Sequence, residues 1–361
     1  TIKVGQQQMD GRTLLNYARF RKDDEGDFGR TRRQQEVLTA VFQQVKDPTT
    51  IDEQIRILSE RGMQVDIDLA RQWLRSVSYY RLSGYWYPYR KQLQSDTRMP
   101  VRADTFVPGS TFSEVTGLYE FDRKLRTLVH DGIERIEIAL RTRVGEWIVT
   151  HGPLAHQDKN LFRADFDHKT WLKTARRRIQ RAEGNNAAIR HYADKYEGYP
   201  FWVLAETLDF ADISKLYAGL PVFAQHEISR SFGFTVDPMA LRGKHRKNYY
   251  TRDPLARWCE QLTVVRNVCA HHGRLFNRNL LPASTVAFRT IDSLKSLPEG
   301  QSDKVFGALL VMGFMLHNIS PGTSWAAKLS DLVHDYYERL ALRSVAEMGF
   351  PPDWAGSFVH L

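Results

Sequence analysis

Apolar residues recur at threes and fours along most of this chain, and no stretch shows the strict alternation of a half-buried strand. The longest periodic run lies between Ser113 and Thr150, carried by Leu118, Phe121, Leu125, Leu128, Ile136, Leu140, Val144 and Trp147. Asp131-Gly132 predicts a break or bend within it. Arg123, Lys124, Arg126, Glu134, Arg135, Glu137 and Arg141 occupy the other positions and read mostly as a solvated face.

Two short helices are predicted between Ile51 and Val77, with Thr50 in an N-cap position and Arg61-Gly62 ending the first. Ile55, Ile57 and Leu58 mark one; Leu69, Trp73, Leu74 and Val77 mark the other. Residues 95–112 contain Pro100, Pro108 and Gly109 and read as a loop. Pro200 to Leu220 reads as two short helices around Asp212-Ile213-Ser214, and a further helix is anchored by Leu255, Trp258, Leu262, Val265 and Cys269. Helical segments over 284–294, 303–319 and 324–346 complete the pattern. The run Phe306–Leu316 is the most apolar, too short to span a bilayer, and reads as a buried core helix. The fold class is therefore all-α. Three regions are expected: a charged extension over 1–48 with a helical patch at Glu36–Val45, an N-terminal helical region over 49–110, and a helical core over 111–361.

With 42% hydrophobic and 26% charged residues the chain has the composition of an ordinary globular protein, but its net charge of +9 favours a polyanionic partner, RNA or DNA before a membrane surface. The only cysteines, Cys259 and Cys269, give no disulfide framework; on one helix they lie about 15 Å apart, too far to bridge. The polar start, Thr1–Gln8, shows no signal peptide, and the first residue is not Met, so the numbering is expected to begin inside a longer sequence. Together these features predict a soluble cytoplasmic protein without a membrane partner.

Charge then acquires an address. Between Leu241 and Arg278 stand nine basic residues, among them Lys244, Arg246, Lys247, Arg274 and Arg278, against only Asp253 and Glu260. A second basic run, Lys169 to Arg181, includes Arg176 and Arg177 and suits phosphate contacts or a solvated face. Ser78–Arg90 interleaves six aromatic residues with arginine; Tyr79, Tyr80 and Arg81 suit base stacking, while packing in a core is the alternative.

Within the basic region, Arg266, Asn267, His271 and His272 fall inside an apolar helix, where polar and titratable groups require a partner or a chemical task. Imidazole transfers protons at cellular pH, and a fixed guanidinium stabilises charge building on phosphate, so the set suits attack of a ribose 2′-hydroxyl on its neighbouring phosphate without a metal or other cofactor. On an ideal helix Arg266 and His271 diverge by about 140°, so convergence needs a relaxed helix end or a second copy of the chain. Asn267 and His271 share a face and are placed to hydrogen-bond. The gap itself has little weight, since Arg163–His168 and Arg123–His130 show similar spacings. A zinc site of Cys259, Cys269, His271 and His272 fits no standard ligand spacing, and a third alternative makes both histidines core residues.

The stretch Arg266-Asn267-Val268-Cys269-Ala270-His271-His272-Gly273-Arg274-Leu275-Phe276-Asn277 resembles the signature of the Abi-like family of bacterial abortive-infection proteins (the AbiD/AbiF group). Ser78–Arg90, Leu118–Arg126, Pro200–Glu206, Ser214–Tyr217 and Met348–Pro351 resemble further blocks in the same order, covering the chain from about residue 49 onward. That family is similar to the HEPN superfamily of helical domains, whose Arg-x4–6-His motif serves metal-independent RNA cleavage, usually in dimers. The resemblance implies a HEPN-like core, catalytic positions at Arg266 and His271, a polar position at Asn267, and His272 as a second imidazole within the permitted gap. It also implies phage defence or a toxin–antitoxin-like role, a homodimer, and association with a small non-coding RNA. The alternative function is a non-catalytic RNA-binding defence component in which the same cations only grip phosphates.

Overall fold

A computed structural model describes residues 50–93, 101–195 and 198–359, together with Tyr17. The expected extension over 1–48, with its helical patch at Glu36–Val45, lies outside the described residues. The described residues divide into two compact units, one comprising those up to Arg81 and within Arg90–Phe112, the other Leu82–Tyr89 and those from Ser113 onward. Among the described residues there are thirteen α-helices and two small sheets, so the protein is mostly helical.

In the first unit, helix α1 (Ile51–Glu60) starts where expected: the Thr50 hydroxyl accepts from the Glu53 amide at 3.2 Å. Helix α2 (Ile67–Val77) is capped in the same way by Asp66, and Arg71 reaches back to Asp52 of α1 at 3.0 Å. Ile55, Leu58, Ala70 and Leu74 are buried. Ser78, at φ 65°, separates α2 from helix α3 (Tyr79–Trp86). The expected loop at 95–112 is corrected in part: β1 (Arg90–Gln92) pairs antiparallel with β2 (Arg102–Phe106). A strand of three residues is held by its ladder rather than by alternation, so its pattern carries no signal.

The second unit is built on helix α4 (Phe112–Val149), which runs 38 residues without interruption. The break expected at Asp131-Gly132 is absent. Gly132 is there for close approach instead: a Cβ on it would lie 2.8 Å from Trp325 Nε1, 3.0 Å from Met312 Cε and 3.1 Å from Leu316 Cδ1. The Trp325 indole N–H donates to the Leu128 carbonyl one turn earlier, at 2.8 Å. Gly132→Ala is therefore expected to destabilise the protein by about 1–3 kcal/mol, because overpacking outweighs the better helix propensity of alanine. A melting temperature equal to or above wild type would show that Trp325 can retreat without cost.

After α4 come α5 (His168–Ala182), α6 (Ala187–Lys195), α7 (Phe201–Ala205), α8 (Phe210–Gly219), α9 (Val222–Ser231), α10 (Gly243–Tyr249) and α11 (Pro254–Ala270). Asp209 opens α8 with a capping box closed by Asp212, so Asp212-Ile213-Ser214 lies within the second of the two expected helices. Helix α8 packs on α11 and on α5. The helix expected over 284–294 is corrected: β3 (Ala283–Ser284) pairs with β4 (Gln301–Ser302), and only 3-10 turns follow. The Thr285 amide donates to Gly300 at 2.8 Å, which commits it to a cross-chain bond instead of a helical one. Helix α12 (Val305–Ile319) is the expected core helix, buried continuously from Val305 to Leu316. Helix α13 (Trp325–Leu332) is shorter than its apolar pattern and passes into a π turn at Val333–Tyr337.

Candidate active site

The site is built on α11. Its buried face carries Leu255, Trp258, Leu262, Val265 and Cys269, as the periodicity predicts. Trp258 is tied through its indole to the Ser284 carbonyl at 3.1 Å, and Gln261 donates to the Leu281 and Ser302 carbonyls. Burial pushes the Cys269 thiol up to about 12 and holds Cys259 protonated as well. Two buried thiols and two exposed imidazoles do not make a zinc site, and among the described residues no cluster of three metal-ligating side chains occurs.

Asp253 opens the helix. Its Oδ1 accepts from the Leu255 amide at 2.8 Å and the Tyr217 hydroxyl at 3.3 Å, with His226 Nε2 at 3.7 Å from Oδ2. Burial pushes its carboxyl from the ordinary 3.8 up to about 7. The folded chain then holds a proton that the unfolded chain releases, so this stabilisation is complete below about pH 4 and is lost as pH rises through about 7. Asp253→Asn keeps an N-cap side chain and removes the titration. The wild type is expected to lose more melting temperature than this variant between about pH 5 and pH 8. Parallel pH profiles would show that Asp253 stays ionised in the fold.

The other end of α11 explains why the polar motif sits there. His271 is the C-cap, the His272 amide donates to the Cys269 carbonyl at 3.0 Å, and the Gly273 amide donates to the Val268 carbonyl at 2.8 Å. This is the Schellman arrangement, whose left-handed position normally holds glycine. Here it holds His272 at φ 55°, a conformation that costs a residue with a Cβ on the order of 1 kcal/mol. Both imidazoles are exposed, which removes the core-histidine alternative.

Arg266 points elsewhere. Half-buried, it lines a cleft of about 250 Å³ with His130, Ile133, Glu134, Glu137, Ile138 and Arg141 of α4. Among the described residues its side chain makes one hydrogen bond, a long one of 3.4 Å to Asn267 Oδ1. Within one chain no hydrogen bond among the described residues joins Arg266 to His271. Asn267 and His271 are linked through the backbone, the His271 amide donating to the Asn267 carbonyl at 3.0 Å. Burial pushes the Glu137 carboxyl up from its usual range, opposed by Arg141 and Arg266.

The chain beyond the motif is fixed by a group that sequence reasoning passed over. Asp122 of α4 is fully buried and accepts from the Phe276 amide at 2.8 Å, the Leu275 amide at 3.1 Å, the Tyr85 hydroxyl at 2.7 Å and the Arg126 guanidinium. Arg126 is thus buried, not part of a solvated face, and Glu137 and Arg141 form a half-buried pair at 3.0 Å. The signal was present as an Asp/Arg pair at i and i+4 inside an apolar run.

The expected RNA contacts divide. Arg274 turns inward, its guanidinium donating to the Gly84 carbonyl and lying 5.7 Å from the Phe276 ring centre. Arg246 holds the turn before α10 through the carbonyls of Pro238, Met239 and Leu241. Both half-buried guanidinium groups are thus engaged with backbone carbonyls within the fold. Lys244, Lys247, Arg278, Arg176 and Arg177 are exposed. Tyr80 is exposed, whereas Tyr79 and Arg81 are half-buried and Tyr85, Trp86 and Tyr89 are buried, so packing claims part of that stretch. Of the look-alike spacings, His168 is buried with Nε2 at 2.9 Å from the His156 carbonyl, and Arg123 pairs with Glu120 at 2.8 Å.

Comparison with known proteins gives two family matches. The model described as Abi-like protein matches residues 72–277, a range that ends on the residues just described. The LytR_cpsA_psr family matches residues 1–88, most of which lie outside the described residues. Among curated proteins, Regulatory protein MsrR of Staphylococcus aureus (strain COL) is 45% identical over 51 residues, 14% of this chain and 16% of that protein. Biofilm regulatory protein A of Streptococcus mutans serotype c is 29% identical over 97 residues, 23% of this chain and 24% of that protein. The chain thus spans no more than about a quarter of the length of these relatives. No solved structure matches. Among the described residues no helix is long and apolar enough to cross a membrane.

Proposed function

The chain belongs to the Abi-like family, whose model covers more than half of it, and from that premise we propose that it is a metal-independent endoribonuclease of a bacterial abortive-infection system. The observation that carries the reading is the end of α11. A left-handed His272 and a C-cap His271 present two imidazoles to solvent, while the same helix sets Arg266 into a cleft. Strain held at such a point is characteristic of functional sites.

In the reaction, an imidazole of this pair takes the proton from a ribose 2′-hydroxyl as its oxygen attacks the adjacent phosphorus. Arg266 stabilises the charge on the non-bridging oxygens, and the bond to the 5′-oxygen breaks, leaving a 2′,3′-cyclic phosphate. Since Arg266 and His271 diverge along α11, the working site is composite, with a second copy of the chain supplying the complementary half. The exposed cations Arg176, Arg177, Lys244, Lys247 and Arg278 give RNA its salt-sensitive grip. An associated small non-coding RNA controls the enzyme in the cell.

Purified protein incubated with RNA in EDTA is the test. Fragments ending in 2′,3′-cyclic phosphate support the proposal. Binding that weakens with salt but yields no fragments supports instead an RNA-binding defence component, a reading favoured by the lack of an Arg266–His271 contact within one chain.

A further inference from the structure

Cleavage of this kind needs two proton transfers, one from the 2′-hydroxyl and one to the departing 5′-oxygen. The imidazoles at the end of α11 account for the first. Beside Arg266, the cleft contains a side chain suited to the second: His130 of α4, exposed, in the same cleft of about 250 Å³. We propose that His130 is the general acid of this site, protonating the 5′-oxygen while Arg266 holds the phosphate; the inference rests on the ribonuclease reading above.

The neighbours in the cleft fit this role. Glu137 is paired with Arg141 at 3.0 Å, and Arg141 is itself anchored to the Leu208 carbonyl at 3.0 Å, so the Glu137 charge is offset from within the protein. Arg266 also acts on Glu137 across the cleft, but among the described residues the ion pair of Glu137 is with Arg141, so the Arg266 guanidinium is placed to meet an incoming phosphate. His130 lies on α4 eight residues after Asp122, the group that fixes the chain leaving the motif, so one rigid helix holds both the acid and the support of the loop. Rigid elements position catalytic groups more reliably than loops do. The balance closes within the site: the 2′-oxygen–phosphorus bond forms, the phosphorus–5′-oxygen bond breaks, one proton leaves the 2′-oxygen for the α11 imidazole, and one passes from His130 to the 5′-oxygen.

A leaving group that needs no proton tests the assignment. An RNA oligonucleotide with sulfur in place of the bridging 5′-oxygen at one linkage is compared with the all-oxygen strand, using wild type, His130→Ala and His271→Ala. His130→Ala is expected to slow cleavage of the all-oxygen strand by about 10²–10⁴-fold and to cleave the sulfur-bridged strand close to the wild-type rate. His271→Ala is expected to remain slow on both. Because His130 is exposed, its variant should melt with the wild type. An all-oxygen rate unchanged in His130→Ala, or a loss undiminished by sulfur, overturns the proposal while leaving the ribonuclease reading intact. Wild type that cleaves neither strand overturns both.

Discussion

Arg266→Ala and His271→Ala should each lower RNA cleavage by about 10²–10⁴-fold while leaving the melting temperature nearly unchanged. The first part follows from chemistry: one variant removes charge stabilisation at phosphorus, the other a proton acceptor. The second follows from position, since His271 is exposed at the C-cap and, among the described residues, the one side-chain hydrogen bond of Arg266 is the long one to Asn267. Combined, the two changes should cost little more than either alone, because groups acting in one transition state are not additive. Mixing the two inactive proteins provides the sharper experiment. If each site takes Arg266 from one copy and His271 from the other, a mixed dimer carries one site with both residues, and activity should return on mixing. A mixture as inactive as its components would rule out a site shared in this way. His272→Gly separates the two imidazoles: it relieves the left-handed position and should raise stability by on the order of 1 kcal/mol. Activity retained in that variant assigns the proton transfer to His271.

The sequence made much of this arrangement legible because helical periodicity reports burial directly. Leu255, Trp258, Leu262, Val265 and Cys269 could be placed on the inner face of α11 without a structure, as could the core helix around Phe306–Leu316. Thr50 marked the start of α1 because a cap is a local interaction. What escaped was set by contacts between distant segments. Gly132 read as a bend, yet its missing Cβ makes room for Trp325, which lies far along the chain. Arg126, Arg246 and Arg274 counted as charge, but their partners are a buried carboxylate and backbone carbonyls that a one-dimensional pattern does not display. His130 was set aside because its spacing from Arg123 resembled chance; its relevance comes from Arg266, on another helix. The motif was thus legible as chemistry, while its supporting and opposing groups were not.

Asp122→Ala is expected to destabilise the protein by about 3–5 kcal/mol, the effect of leaving a buried guanidinium without its counter-charge. The magnitude follows from how many donors meet on one carboxylate: Arg126, whose side chain is 6% exposed, the Tyr85 hydroxyl, and the amides of Leu275 and Phe276. Burial pushes the Asp122 carboxyl upward, and those four donors act against it, Arg126 most strongly. In urea the midpoint should fall with an unchanged slope, as expected for lost stability rather than an altered unfolded state. A loss below about 1 kcal/mol would mean that water or a rearranged Arg126 replaces the carboxylate. Stability alone does not distinguish support of the fold from support of the site, and a paired change does. Asp122→Leu with Arg126→Met exchanges the buried ions for apolar groups of similar size, a replacement often neutral for stability. It still leaves the amides of Leu275 and Phe276 without an acceptor, and these begin two residues after Gly273 in the turn that presents His271 and His272. The double variant should therefore recover most of the lost stability and remain impaired in cleavage, with the fall in kcat rather than KM. Full activity in a stable double variant would restrict Asp122 to the core and leave the orientation of the histidines to the helix cap alone.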